Sequence, residues 1–110
     1  MKRIEAIIKP YKLETLKAGL DELGITGMTI GEVQGLAGGR DVFVRGSHST
    51  VSLVPRIQVT LVVTADLADL VVQKILSSVR TGSPGDGIVC IQPVEKVYRI
   101  RTGETDGEAL

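Results

Sequence analysis

The 110-residue sequence predicts an α+β sandwich, one sheet carrying two helices on a single face, built from a strand–helix–strand unit used twice. Three observations predict it. Segments that alternate apolar and polar residues are interleaved with two segments whose apolar residues recur every three or four positions. Each helical segment follows the first strand of its half. The interval between the halves has no sustained period.

The first strand is read over 3–9, RIEAIIK, where Ile4, Ala6 and Ile8 share a face. Pro10 suits the first turn of a helix, where its missing N–H has no partner to lose. Leu13, Leu16, Leu20 and Leu23 then form an apolar stripe, and Gly24 ends it as a left-handed cap. TGMTIGEVQG (26–35) is a second strand, with Gly27, Gly31 and Gly35 marking bends or close backbone approach. Residues 36–53 are expected to be a long loop, and loops of that length in compact domains are functional or disordered. RIQVTLVV (56–63) is the clearest strand. Thr64 is expected to cap a second helix with Asp66 in its first turn and Leu67, Leu70, Val71, Ile75 and Val79 on its apolar side. GIVCIQPV (87–94) reads as a fourth strand and KVYRIR (96–101) as a short fifth.

This order is the ferredoxin-like βαββαβ arrangement, in one domain spanning 1–110. Ala6, Ile8, Val59, Leu61 and their neighbours are assigned to the face that the helices leave open. An apolar open face predicts an oligomer.

Composition narrows the function. Apolar residues make up 43% and charged residues 24%, with a formal net charge of zero. That is globular composition without the basic face that nucleic acid or anionic membranes call for. Tyr11, Phe43 and Tyr98 are the only aromatics, too few for base stacking. The single cysteine, Cys90, lies in the apolar run IVCIQ and is expected in the core. One cysteine allows no internal disulfide, which suits a reducing cytoplasm. MKRIEAIIKP has no long apolar region, so no signal peptide is read there, and no run is long enough for a membrane span.

The residues with chemistry are few. In TGSPGDGI, Gly82, Gly85 and Gly87 can turn consecutive amides inward as a nest for phosphate oxygens. A plain helix-to-strand turn uses the same residue types. In YRIR, Arg99 and Arg101 are two apart and would project to one side of a strand, to pair with carboxylates or a phosphorylated ligand. Turn and arginines together favour a phosphate site. Catalysis finds no support: His48 sits in the long loop beside Ser47 and Ser49, with no rigid base–nucleophile pair. One His and one Cys have no zinc spacing, and neither GxxxxGK[ST] nor GxGxxG occurs.

These stretches carry a family resemblance. From MKRIEAIIKPYKLETLK through GITGMTIGEVQG and RTGSPGDG to VYRIRTGE, the chain resembles the PII nitrogen-regulatory signalling proteins. The resemblance implies a cytoplasmic homotrimer that binds ADP or ATP, and AMP as a further candidate, in clefts between protomers. It also implies a T-loop that touches a membrane transporter or a metabolic enzyme. Carried over residue by residue, the phosphate-wrapping B-loop (about 81–88) centres on Gly85, Asp86 and Gly87. Arg99 and Arg101, in the C-terminal strand and tail 95–110, reach the phosphates across the subunit boundary. Ile7, Gly35 and Val62 match the lining of the adenine or ribose pocket, with Gly27, Met28 and Thr29 at its facing edge. The T-loop is about 36–54.

The departures from the family pattern are equally specific. GDGKI is here GDGIV, so Ile88 replaces a phosphate-contacting lysine, a change worth about 1.5–3 kcal/mol if that contact is good. This implies a weaker preference for ATP over ADP. The loop is two residues shorter, and the glutamine that helps hold Mg-ATP and 2-oxoglutarate has no clear counterpart; this speaks against a 2-oxoglutarate response and leaves magnesium unassigned. Arg56 replaces the lysine after the loop's proline, and with Arg40 and Arg45 it could receive a small anion such as bicarbonate. That alternative would make the chain a paralogue serving a carbon-uptake or metal-efflux transporter. Ser49 stands where the family carries its uridylylated tyrosine, and Ser47 matches a serine phosphorylated in some members.

Overall fold

A computed structural model describes residues 1–37, 43–44, 48–49 and 52–110. Its elements are β1 (Lys2–Ile8), α1 (Leu13–Glu22), β2 (Thr29–Ala37), β3 (Phe43–Val44), β4 (His48–Ser49), β5 (Ser52–Val63), α2 (Ala65–Val79) and β6 (Gly87–Pro93). The main sheet has the order β2-β5-β1-β6 and is antiparallel throughout. This is the split βαββαβ topology expected, with the strand of each half inserted beside that of the other. β3 and β4 pair separately, Phe43 opposite Ser49 and Val44 opposite His48.

Local chemistry sets the boundaries. Pro10 opens a short 3-10 turn over Pro10–Lys12 that leads into α1. At the other end of α1, Gly24 has φ +76, its N–H donates to the Asp21 carbonyl, and the Ile25 N–H donates to that of Leu20. These paired bonds close the helix as a Schellman motif, which needs the left-handed conformation glycine adopts freely. Thr64 is the extended residue before α2, but its side chain makes no capping hydrogen bond. Pro55 is tolerated within β5 because β1 pairs only with residues 57–63, leaving one edge of β5 free at Pro55.

Both helices pack on one face. Ile4, Ala6 and Ile8 of β1 and Ile57, Val59, Leu61 and Val63 of β5 meet Leu16 and Leu20 of α1 and Ala68, Val71, Ile75 and Val79 of α2. Gly19 lets the helices approach: a Cβ there would lie 2.5 Å from Ser78 Oγ. Lys74 Nζ donates to Glu22 Oε2 at 2.8 Å across the same seam and holds the Glu22 carboxyl below its ordinary pKa.

Several expectations need correction. Ala6, Ile8, Val59 and Leu61 lie under the helices, not on the open face. The open face instead carries the alternate residues Arg3, Glu5 and Ile7 of β1 with Gln58, Thr60 and Val62 of β5. Strict alternation says which residues share a face, and it is silent on which face the helices cover. Cys90 is exposed, because it lies opposite Glu5 on that open side of an edge strand. Leu67 and Leu70 face outward while Ala68 is buried, so the stripe of α2 is rotated from the one its largest side chains suggest.

A further correction concerns the C-terminal segment. Lys96–Arg101 forms no ladder strand; a single bridge joins Tyr98 to Thr105. Between them the chain turns tightly, with the Gly103 N–H donating to the Arg99 carbonyl at 2.7 Å and the Arg99 N–H to that of Glu104 at 2.8 Å. The segment read as a loop is also partly sheet. The β2–β5 ladder continues to Leu36 opposite Leu53 and Ala37 opposite Ser52.

Candidate functional site

The glycine turn joins α2 to β6. Gly82, Gly85 and Gly87 all have positive φ, at +86, +88 and +106. Gly87 is further constrained by space, since a Cβ there would collide with the Ile7 carbonyl oxygen of the neighbouring strand. Asp86 organises the turn from within. Its carboxylate accepts hydrogen bonds from the N–H groups of Thr81 and Gly82, each at 2.9 Å, and from the Thr81 hydroxyl. The Ser83 N–H in turn donates to Thr81 Oγ1 at 3.1 Å. Lys9 Nζ lies 3.3 Å from Asp86 Oδ1. Chiefly through the Thr81 hydroxyl bond, then the two amides and Lys9, the Asp86 carboxyl is held far below the usual carboxylate range.

Cations from distant segments reach this turn. Lys9 ends β1, one residue before Pro10. Arg56 of β5 passes over Gly35, a Cβ on which would sit 3.4 Å from Arg56 Cγ, and brings Nη2 to 3.1 Å from where a Gly85 Cβ would be. Its Nη1 donates to the Pro55 carbonyl at 2.8 Å, and no carboxylate among the described residues lies within ion-pair distance of it. Ile7 and Ile88 are opposite each other at the start of β6, and Ile88 is 64% exposed.

The remaining candidates gather elsewhere. Gly27, Met28, Thr29, Val62 and Arg99 line one pocket of about 540 Å³, closed on one side by Ala109 and Leu110. The guanidinium of Arg99 is 3.9 Å from the Glu104 carboxylate, an ion pair within the C-terminal turn. Arg101 is exposed in that turn and does not line the pocket. Thus Ile7, Gly35, Gly85, Asp86 and Gly87 collect near the Ile8 end of β1, and Gly27–Thr29, Val62 and Arg99 near its Lys2 end. Along the strand these ends are roughly 20 Å apart at ~3.3 Å per residue. A single protomer does not bring the two groups together. Arg40 and Ser47 lie outside the described residues.

Lys9 and Thr81 are not among the residues read individually from sequence. Thr81 opens the TGSPGDGI motif five residues before Asp86, a local signal, whereas Lys9 reaches the turn only through the sheet order.

The family model "Nitrogen regulatory protein P-II" matches residues 1–104. The chain belongs to the P-II family. The full length aligns at 46% identity with the nitrogen regulatory protein P-II of Nostoc punctiforme, all of both chains being covered. The P-II proteins of Klebsiella oxytoca and of Escherichia coli K12, the latter named P-II 1, are 43% and 42% identical over the whole of both chains. The P-II family comprises nitrogen-regulatory signalling proteins and not enzymes. Among the described residues no helix is long and apolar enough to cross a membrane, and no group of three or more His, Cys, Asp or Glu could hold a metal ion.

Proposed function

We propose that this P-II family member is a non-enzymatic signal-transduction protein of nitrogen metabolism. It binds ADP or ATP in clefts between the protomers of a homotrimer and regulates a transporter or metabolic enzyme through its T-loop. The observation that carries the reading is the division of the candidate residues. One end of the sheet presents the glycine turn with Lys9 and Arg56 above it, suited to phosphates. The other presents Arg99 beside a pocket lined by Gly27–Thr29 and Val62. Two such half-sites, one from each of two neighbours, make a whole site at each boundary of a closed ring.

The chemistry of signalling is then a population shift. Nucleotide acts on the T-loop only to the extent that it binds one loop arrangement more tightly than another. With Ile88 at the phosphate turn, the gain from a third phosphate is small, and ATP is favoured over ADP only weakly. Calorimetry with ADP, ATP and AMP, beside a solution mass measurement, tests both halves of the reading. Binding of ADP and ATP by a species of three 11.7 kDa chains is expected; a monomer, or no heat at millimolar nucleotide, would refute it. Arg101→Ala is expected to weaken nucleotide by about 1.5–3 kcal/mol, the scale of a charge-assisted contact.

The charge of Arg56 supports a second reading, in which the effector beside the nucleotide is a small anion such as bicarbonate. Heat from bicarbonate with nucleotide-loaded protein, lost in Arg56→Ala, would favour it.

A further inference from the structure

We infer that Thr81, Asp86 and Lys9 act as positioning residues for the phosphate-facing turn, and that the Asp86 carboxylate is a staple rather than a ligand. This rests on the nucleotide reading above. Both carboxylate oxygens of Asp86 are committed: Oδ2 accepts from the Thr81 and Gly82 amides, and Oδ1 from the Thr81 hydroxyl, with Lys9 Nζ 3.3 Å away. A carboxylate turned outward beside phosphates would repel them. Turned inward, its charge is balanced by Lys9 and by the amides it binds.

The staple also divides the labour among the amides. Thr81 and Gly82 spend their N–H groups on Asp86, and Ser83 spends its own on Thr81 Oγ1. What they hold in place is the stretch after them, where Gly85 and Gly87 sit at positive φ. A polyphosphate meeting a turn already held in this shape has less chain to order on binding, and affinity rises by the ordering avoided. Lys9 is partly buried at this junction and 3.4 Å from Thr81 Oγ1, so it closes the staple onto the end of β1.

The side-chain chemistry supplies the test. Thr81→Ser keeps the hydroxyl, and Thr81→Val keeps the shape while losing it. Asp86→Asn keeps the size and replaces an acceptor by a donor that faces other donors. ADP affinity, by calorimetry, is expected to fall about tenfold in Asp86→Asn and Thr81→Val, the factor for one charge-assisted bond, and to stay near wild type in Thr81→Ser. Adenosine, followed by NMR at millimolar concentration, has no phosphate and is expected to shift the same resonances in all four proteins. Unchanged ADP affinity in Asp86→Asn would overturn the staple's role, as would equal weakening of ADP and adenosine. Wild-type protein that takes up no ADP would instead overturn the nucleotide reading, a distinct outcome.

Discussion

The two faces of the sheet contrast more sharply than any two segments of the chain. On the helix side Ile4, Ala6, Val59, Leu16, Leu20, Val71 and Ile75 lose all their exposure, and among the described residues no polar side chain is buried. On the open side, Arg3 donates to Gln92 Oε1 at 2.7 Å and to Glu5 Oε2 at 2.9 Å, and Gln58 donates to that same Glu5 oxygen at 3.1 Å. Around this polar centre lie Ile7, Ile88 and Val62, only partly covered or exposed. The first face is complete within one protomer. The second has its hydrogen bonds arranged but its apolar rim uncovered, as suits a surface that meets other copies.

The contrast can be broken from either side. The largest effect is expected at Ile75→Ala, which opens a cavity in the completed face and should cost about 2–5 kcal/mol in urea unfolding. Leu70→Ser, 51% exposed on the same helix although next in sequence to the buried Val71, should by contrast change stability by less than about 0.5 kcal/mol. Glu5→Gln comes next. It removes the charge that Arg3 pairs with and weakens the acceptor that Arg3 and Gln58 share, and about 1 kcal/mol is expected for a partly exposed pair in a lone protomer. Raising protein concentration should enlarge that loss if the open face is the assembly surface, because the mutation then acts on the interface too; a concentration-independent value would separate Glu5 from assembly.

The smallest global effect is expected on acidification, and it should be confined to the glycine turn. The folded Asp86 carboxyl titrates below its unfolded value, so its contribution is complete above the ordinary carboxylate range and disappears as pH falls through the lower folded value. Amide NMR at descending pH should therefore show Thr81 and Gly82 still held to Asp86 well below the ordinary carboxylate range. Loss of those signals already within the ordinary carboxylate range would contradict the geometry of the turn.

Much of this was legible beforehand, and the failures have physical causes. Period-two and period-four patterns located β1, α1, β5, α2 and β6, and Gly24 marked the end of α1, because each depends on local chemistry alone. Ala6 and Ile8 belong under the helices, and Arg3 and Glu5 at the alternate positions of β1 already mark the other face as the open one; Ile7 among them blurs that signal. Lys96–Arg101 alternates like a strand, yet Thr102 and Gly103 turn it back on itself before it can join the sheet. At the site, the glycine turn was visible as a run of residue types. Lys9 and Arg56 were invisible as its neighbours, since sheet order rather than sequence distance brings them there.

Cys90 gives the open face a reporter that requires no mutation. It is the chain's single thiol, exposed on β6 across from Glu5. Its alkylation rate would tell whether other copies of the chain occlude that side of the sheet, and a change in that rate on adding nucleotide would report a ligand that alters their packing.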